Sequence, residues 1–411
     1  DLTPETDAKL EQSAQLAKGG SLNEALAMLA ALEKRCRVGN DTVNLVRVCE
    51  ASLQYCKDAG DNESLVTTLQ TLSTRRSQKT QAVRALVQKA IPWCLNDQYT
   101  PCPVSTDEEK ADREKLVVTL RDITDGKLFL EAERARLTRA LATIKEEEGD
   151  IAGAADVLQE VHVETYGSLS KKEKVEFILE QMRLTLGKKD YVRAAIVAGK
   201  VSRKQLSEEN MEDYKVKFYT LLAESHRHDK DAFMLAKDYH AIYSTPCILK
   251  EESSWMSALQ STVLFLALSP YSNEQQDMLN RVNEDGNLEK LPSFQKTIQL
   301  LLKKEIINYP LVNQQELETL PAFLEGGADL AAFWRESLHR RIIQHNVRII
   351  SNYYQRIHGA RLAQLLGLDA TRLEKEIAAM VSDGTVYAKI DRPKDIVRFS
   401  APKNPEAVLS D

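Results

Sequence analysis

One phrase recurs along this chain at nearly equal steps, and it limits the fold more than any other feature. A short polar turn is followed by a small, alanine-rich face. Gly149-Asp150-Ile151 precedes Ala154, Ala155 and Leu158, and Gly187-Lys188-Lys189-Asp190-Tyr191 precedes Ala194, Ala195 and Ala198. From Ala154 to Ala194 is a step of 40 residues. The phrase also opens at Gly20, with Leu22, Ala25, Ala27 and Leu29, and a worn copy runs from Asp229 through Ala232 and Ala236. Apolar residues between the copies keep helical spacing: Val175, Ile178, Leu179, Met182 and Leu186 form one stripe, and Ala232, Leu235, Ala236, Tyr239 and Tyr243 form another. Glycine closing a turn and alanine admitting the next helix at close range describe helix-turn-helix units, stacked as a degenerate TPR-like α-solenoid.

Composition agrees with a mainly α chain. Gly 16 and Pro 12 in 411 residues fall below ordinary usage, so turns and special backbone angles are scarce. A formal net charge of -6 argues against a nucleic-acid-coating protein. The longest apolar run, 263–268, is far short of a membrane span. The start at Asp1, Leu2 and Thr3 has no charged and apolar leader pattern, so no secretory signal is expected. Cys36, Cys49, Cys56, Cys94, Cys102 and Cys247 show no metal spacing and read as free thiols in a reducing compartment.

Two stretches break the helical grammar. Residues 92–112 hold Pro92, Pro101, Pro103, Asn96 and Asp97 and read as a long surface loop. Residues 308–329 hold Pro310, Pro321, Gly326 and Gly327, and the module boundary is expected near Gly326. Beyond it come a long helix to about Tyr354, a short one over 360–366, a turn at Gly367-Leu368-Asp369, and a helix over 370–382 with Asp369 as N-cap. Strand-like runs at 386–390 and 396–400 follow. Three helices and a β-hairpin spell a winged helix, with Leu362, Leu365, Leu366, Leu368, Leu373 and Ile377 as its core. The expected organisation is a repeat solenoid over 1–245, a second domain over 246–401 (a helical part, 246–328, then the winged helix, 329–401) and a truncated tail over 402–411.

Common catalytic templates fail. There is no phosphate-binding G-x-x-x-x-G-K-[ST], no G-x-G-x-x-G after a strand, no G-x-S-x-G and no H-E-x-x-H. His226 and His228 read as a polar turn, and His339 and His345 are six apart, off a shared helix face. No metal or cofactor is expected. The helix that would enter a DNA groove carries Arg372 and Lys375 against Glu374, Glu376 and Asp383, a net -1, so protein docking is favoured over nucleic acid. The preceding helix is basic, with Arg335, Arg340, Arg341 and Arg348, and could meet an acidic protein surface or simply be solvated. The hairpin offers an edge that another sheet could extend.

The run Arg361-Leu362-Ala363-Gln364-Leu365-Leu366-Gly367-Leu368, with Ala388-Lys389-Ile390-Asp391-Arg392 and Ile396-Val397-Arg398-Phe399, resembles a PCI domain. That domain is the assembly module shared by the proteasome lid, the signalosome and a translation initiation complex. The segments Glu133-Arg134-Ala135-Arg136-Leu137-Thr138, Glu176-Phe177-Ile178-Leu179-Glu180-Gln181 and Arg75-Arg76-Ser77-Gln78 are similar to the proteasome-lid branch. The resemblance implies a non-enzymatic scaffold, cytoplasmic and nuclear, whose partners are other PCI lid subunits, the lid deubiquitinase metalloprotease subunit, the ATPase ring and the core particle, with no nucleic acid and no membrane. The metalloprotease signature H-x-H-x₇-S-x-x-D would need Ser and Asp where this chain has Ala236 and Tyr239. Candidate contacts are Val386, Tyr387, Lys389 and Ile390, then Ile396, Val397 and Phe399 on the wing, and Arg340, Arg341 and Arg348 on the basic helix. A signalosome subunit and a nucleic-acid-binding winged helix stand as alternatives.

Overall fold

The structure, a computed structural model, describes residues 3–400. The expected tail at 402–411 and the last residue of the 246–401 domain lie outside the described residues. Among those described, 21 α-helices and one three-stranded sheet are present. They form two compact units divided between Arg203 and Lys204.

In the first unit most helices pack on their chain neighbours, from Thr3–Lys18, Leu22–Val38 and Thr42–Asp58 through to Lys171–Gly187 and Tyr191–Ala198, whereas Thr80–Ala90 packs chiefly on Thr42–Asp58 and the next helix, Asp107–Thr124, on Asn62–Thr74. The turn chemistry is stricter than the alanine phrase suggests. Gly20, Asn40, Gly60, Gly149 and Lys189 all have positive φ, as does Lys230 in the second unit. The residue after each one donates its N–H back to the carbonyl five positions earlier, as in Asp41 to Cys36, Asp150 to Lys145 and Asp190 to Thr185. That is a Schellman C-cap. The same residue then caps the next helix: Asp41, Asp61, Asp150, Asp190 and Asp231 each accept an N–H from the first turn that follows. One aspartate therefore ends one helix and starts its neighbour, which holds the pair antiparallel. Glycine was expected to close the turn at Gly187, but Gly187 is the last helical residue, and the left-handed position falls on Lys189 at φ 63.

The expected stripes face inward. Val175, Ile178, Leu179, Met182 and Leu186 are buried, and so are Ala25, Ala154, Ala155 and Ala194, whereas Ala27 and Ala195 are exposed. Residues 92–112 are not loop throughout. A helix, Asp107–Thr124, begins inside them, because Thr106 and Glu109 form a reciprocal capping box that starts the helix among polar residues. The charged helix Glu131–Glu147 is less solvated than its composition implies, since Arg136 and Arg139 pair with Glu173 and Glu176 at 2.8 and 2.9 Å and Arg183 returns a bidentate pair to Glu146. The Arg75-Arg76-Ser77-Gln78 segment also has a physical role. Glu33 is buried and accepts from Arg37, Arg75 and Gln78, which ties the turn after Asn62–Thr74 to Leu22–Val38. Cys36, Cys49, Cys56 and Cys94 are free and buried, and burial pushes the Cys49 and Cys94 thiols up to about 12, leaving them unreactive.

In the second unit the apolar run 263–268 ends the helix Glu252–Leu268 and is buried on all sides. None of the described helices is long and apolar enough to cross a membrane. Phe265 stacks on Tyr239 and meets Trp334 edge-on at 5.7 Å. Trp334 belongs to the 26-residue helix Ala328–Tyr353, which starts after Gly326 and Gly327, both at positive φ. The first half of this helix packs into the helical core through Ala331, Trp334, Leu338 and Ile342, and its second half enters the winged-helix core through Ile343, Val347 and Ile350.

The turn rule makes two opposite predictions. Gly149→Ala places a Cβ at φ +85 and should lower the stability measured by urea unfolding by about 1 kcal/mol, whereas Lys189→Gly relieves a left-handed side chain and should raise it by a similar amount. Shifts of the same sign in the two variants would contradict the assignment.

Candidate assembly interface

The winged helix is built on the end of Ala328–Tyr353. The helix Gly359–Leu366 ends on Gly367 in the left-handed region, and Asp369 caps Ala370–Ser382 by accepting the Arg372 N–H at 2.7 Å. Leu362, Leu373 and Ile377 are buried, with Leu365, Leu366 and Leu368 packed at their margin. The same core takes in Ile357, Met380, Val386, Val397 and Phe399.

The sheet differs from a simple hairpin. It has three antiparallel strands, β1 (Arg356–His358), β2 (Lys389–Asp391) and β3 (Ile396–Arg398), in the order β1-β3-β2. β1 was missed because a three-residue strand with one apolar member leaves no periodic signal. Gly359 locks it: its N–H donates to the Asp395 carbonyl at 2.9 Å, and a Cβ there would lie 2.2 Å from the Asp395 carboxylate. The first expected strand, 386–390, shrinks to β2, and the second, 396–400, to β3, which is central and not an edge. Phe399 donates to the Gln355 carbonyl and Gly359 to that of Asp395, so residues 395, 397 and 399 turn toward β1. Ile396 and Arg398 then turn toward β2, which leaves the N–H and C=O of Ile390 directed at the free margin of the sheet. A proline at Val397 would break the chain's own ladder instead of reporting on a junction.

The expected contact residues fall into three groups. Val386, Val397 and Phe399 are core residues, while Ile390 and Ile396 are half-buried. Tyr387 and Lys389 are exposed on the β2 side. The arginines of the long helix are held by the protein itself: Arg340 lies 3.5 Å from the buried Glu376, Arg341 donates to the Leu268 carbonyl and to Gln344, and Arg348 lies over the Tyr271 ring at 3.9 Å. Neither Arg341 nor Arg348 has a carboxylate partner among the described residues, and burial depresses both, Arg348 to about 10. They line a small niche with Ser269, Tyr271 and His345. The would-be recognition helix is also spoken for, since Arg372 reaches Glu336 at 2.6 Å and Glu374 accepts from Arg392.

His226 pairs with Asp238 at 2.6 Å, and His339 stacks on Tyr309. Among the described residues no group of three or more His, Cys, Asp or Glu side chains is placed to hold a metal. A cavity of about 310 Å³ beside Trp93 and Leu116 is lined by Glu109, Asp112 and Arg113, each already engaged, by the capping box, by Asn62, and by Cys102 and Glu147.

A helical repeat array and a winged helix that offers an open strand margin, with its own groove-facing helix internally paired, define a protein-docking scaffold. Two family models match: "PSMD12/CSN4, N-terminal" over residues 24–251 and "PCI domain" over 303–401. The chain belongs to this PSMD12/CSN4 family of PCI-domain proteins. It is 37% identical to 26S proteasome non-ATPase regulatory subunit 12 of Dictyostelium discoideum, across 100% of this chain and 89% of that protein. It is 35% identical to 26S proteasome regulatory subunit RPN5 of Saccharomyces cerevisiae, across 95% and 86%. COP9 signalosome complex subunit 4 of Drosophila melanogaster is 24% identical across 68% and 67%.

His345 carries a pH prediction. Its Nε2 lies 3.1 Å from the Glu305 carbonyl, and burial, reinforced by Arg348, holds its imidazole below 6.5. The folded protein then binds fewer protons than the unfolded chain, so stability is full above about pH 6.5 and declines as the pH falls below it. His240 and His339 shift the same way, chiefly through burial. Urea titrations at pH 7 and pH 5.5 should show a smaller acid loss for His345→Gln than for the natural chain; equal losses would remove His345 from this account.

Proposed function

We propose that this protein is a non-catalytic scaffold subunit of the lid of the 26S proteasome regulatory particle, serving ubiquitin-dependent protein degradation through protein contacts alone. The observation that carries this reading is the 37% identity to a proteasome regulatory subunit 12 along the full chain, against 24% over about two thirds for the signalosome relative. Its domains are a repeat solenoid, 1–245, and a PCI module, 246–401, a division motivated by the family matches at 24–251 and 303–401. Its partners are the other PCI lid subunits, the lid deubiquitinase metalloprotease subunit, and the ATPase ring and core particle, in cytoplasm and nucleus.

The contact surface we assign combines the free margin of β2 at Ile390, the exposed Tyr387 and Lys389, and the basic helix around Arg340, Arg341 and Arg348. Strand addition at an open margin needs only backbone donors and acceptors at the right spacing. The unpaired guanidinium groups of Arg341 and Arg348 favour a partner carboxylate, because a half-buried charge is stabilised by pairing.

Affinity purification of the tagged full chain followed by mass spectrometry should recover lid subunits in stoichiometric amounts, and signalosome subunits in their place would overturn the reading. Ile390→Pro removes a donor that the chain itself does not use together with a half-buried side chain, so lid incorporation should drop severalfold relative to Ile390→Ala, which loses the packing alone. Unchanged incorporation would move the junction away from β2.

A further inference from the structure

The register of the sheet lines up three cations that the chain does not pair. Arg356 of β1 stands opposite Arg398 of β3, and Arg398 stands opposite Lys389 of β2, so one row across the sheet reads Arg356, Arg398, Lys389. Side chains alternate along a strand. Ile357, Val397 and Ile390 pack on the winged-helix core, which puts the cation row on the outward face. At roughly 4.8 Å between strands, three positive charges fall within about 10 Å.

Such an arrangement is unfavourable in the isolated chain. Like charges directly opposite one another repel. Among the described residues none of the three has a carboxylate within 4.0 Å, and the Nε of Arg398 is buried without a hydrogen-bond partner. Arg113, Arg121 and Arg227 also have an unpartnered Nε, yet each reaches a carboxylate through another nitrogen, that of Glu147, Glu160 and Glu325 in turn. Tyr354 and Tyr387, each two residues before a member of the row, are exposed just ahead of the two flanking strands.

We propose that this outward sheet face binds an acidic segment of a neighbouring lid subunit, whose carboxylates accept hydrogen bonds from Arg356, Arg398 and Lys389. The inference rests on the scaffold reading above and names the chemistry of the partner. An acidic peptide suits the face better than a nucleic acid. The row is only three side chains long, which matches a few carboxylates and not an extended phosphate backbone.

A zero-length carbodiimide reagent joins a lysine amine only to a carboxylate already in contact with it. Applied to the assembled complex purified through the tagged full chain, it should join Lys389 to an Asp or Glu of another subunit. An Arg356→Gln/Arg398→Gln double variant should cut the yield of that link roughly tenfold, the consequence of losing charge-assisted hydrogen bonds. The melting temperature of the isolated double variant should be unchanged or higher, because a repulsion has been removed. Links from Lys389 only to carboxylates of its own chain, a lowered melting temperature, or binding of poly(U) RNA that the double variant loses would each overturn the assignment. If the complex forms and Lys389 finds no partner carboxylate, only this inference falls. If the tagged chain recovers no lid subunits, the scaffold reading falls first.

Discussion

The second unit depends on one helix that belongs to two cores. Ala328–Tyr353 has 26 residues, about 39 Å at 1.5 Å per residue. Its Trp334 and Leu338 are buried among Phe265, Phe294 and Phe323, and its Val347 and Ile350 are buried against Leu362 and Val397. A continuous helix with both halves packed cannot bend without losing one core, so it carries the winged helix as a rigid extension of the helical part. Asn346 reinforces it by exchanging two 2.8 Å hydrogen bonds with the backbone of Ile307, which pins the irregular segment along its side. For a docking module the consequence is direct. The sheet margin is presented at a set orientation, and a partner strand does not have to restrain it on binding.

Charge is distributed by the same logic. Through the first unit, arginines are used to join helices: Arg136, Arg139 and Arg183 tie Glu131–Glu147 to Lys171–Gly187, and Arg37 and Arg75 converge on Glu33. Pairs of this kind add modestly to stability when exposed, and removing one partner of a buried pair is costly because it strands the other charge. In the C-terminal module Arg335, Arg372 and Arg392 pair likewise, with Glu318, Glu336 and Glu374. Arg341 and Arg348 lack carboxylates, and Arg356, Arg398 and Lys389 share a row. In the scaffold role proposed above, these groups would find their carboxylates on another chain.

Much of this was legible in the sequence. The Ala154 and Ala194 phrases marked helix pairs because small residues at a helix contact are a local requirement, and Asp369 marked a helix start because capping involves only the next three residues. Leu362, Leu373 and Ile377 marked a core by their spacing. The sheet was harder. β1 is three residues long, and nothing in Arg356-Ile357-His358 distinguishes a strand from the end of a helix until β3 lies beside it. That omission made β3 look like an edge and hid the pairing of Arg356 with Arg398, which are 42 positions apart in register. The helix inside 92–112 was hidden by its own capping residues, since acidic and hydroxyl side chains serve loops and first turns equally well.

What the sequence by itself determined is everything that short-range chemistry settles: helical period, the aspartate that ends one helix and begins the next, the apolar content of each core, and membership of a family whose residues match along the chain. Which arginines find carboxylates, which strand lies in the middle and which cations stand in line were decided only when distant segments met. The physical reason is that a hydrogen-bond ladder and an ion pair depend on distance in space, and separation along the chain says little about that until the core has closed.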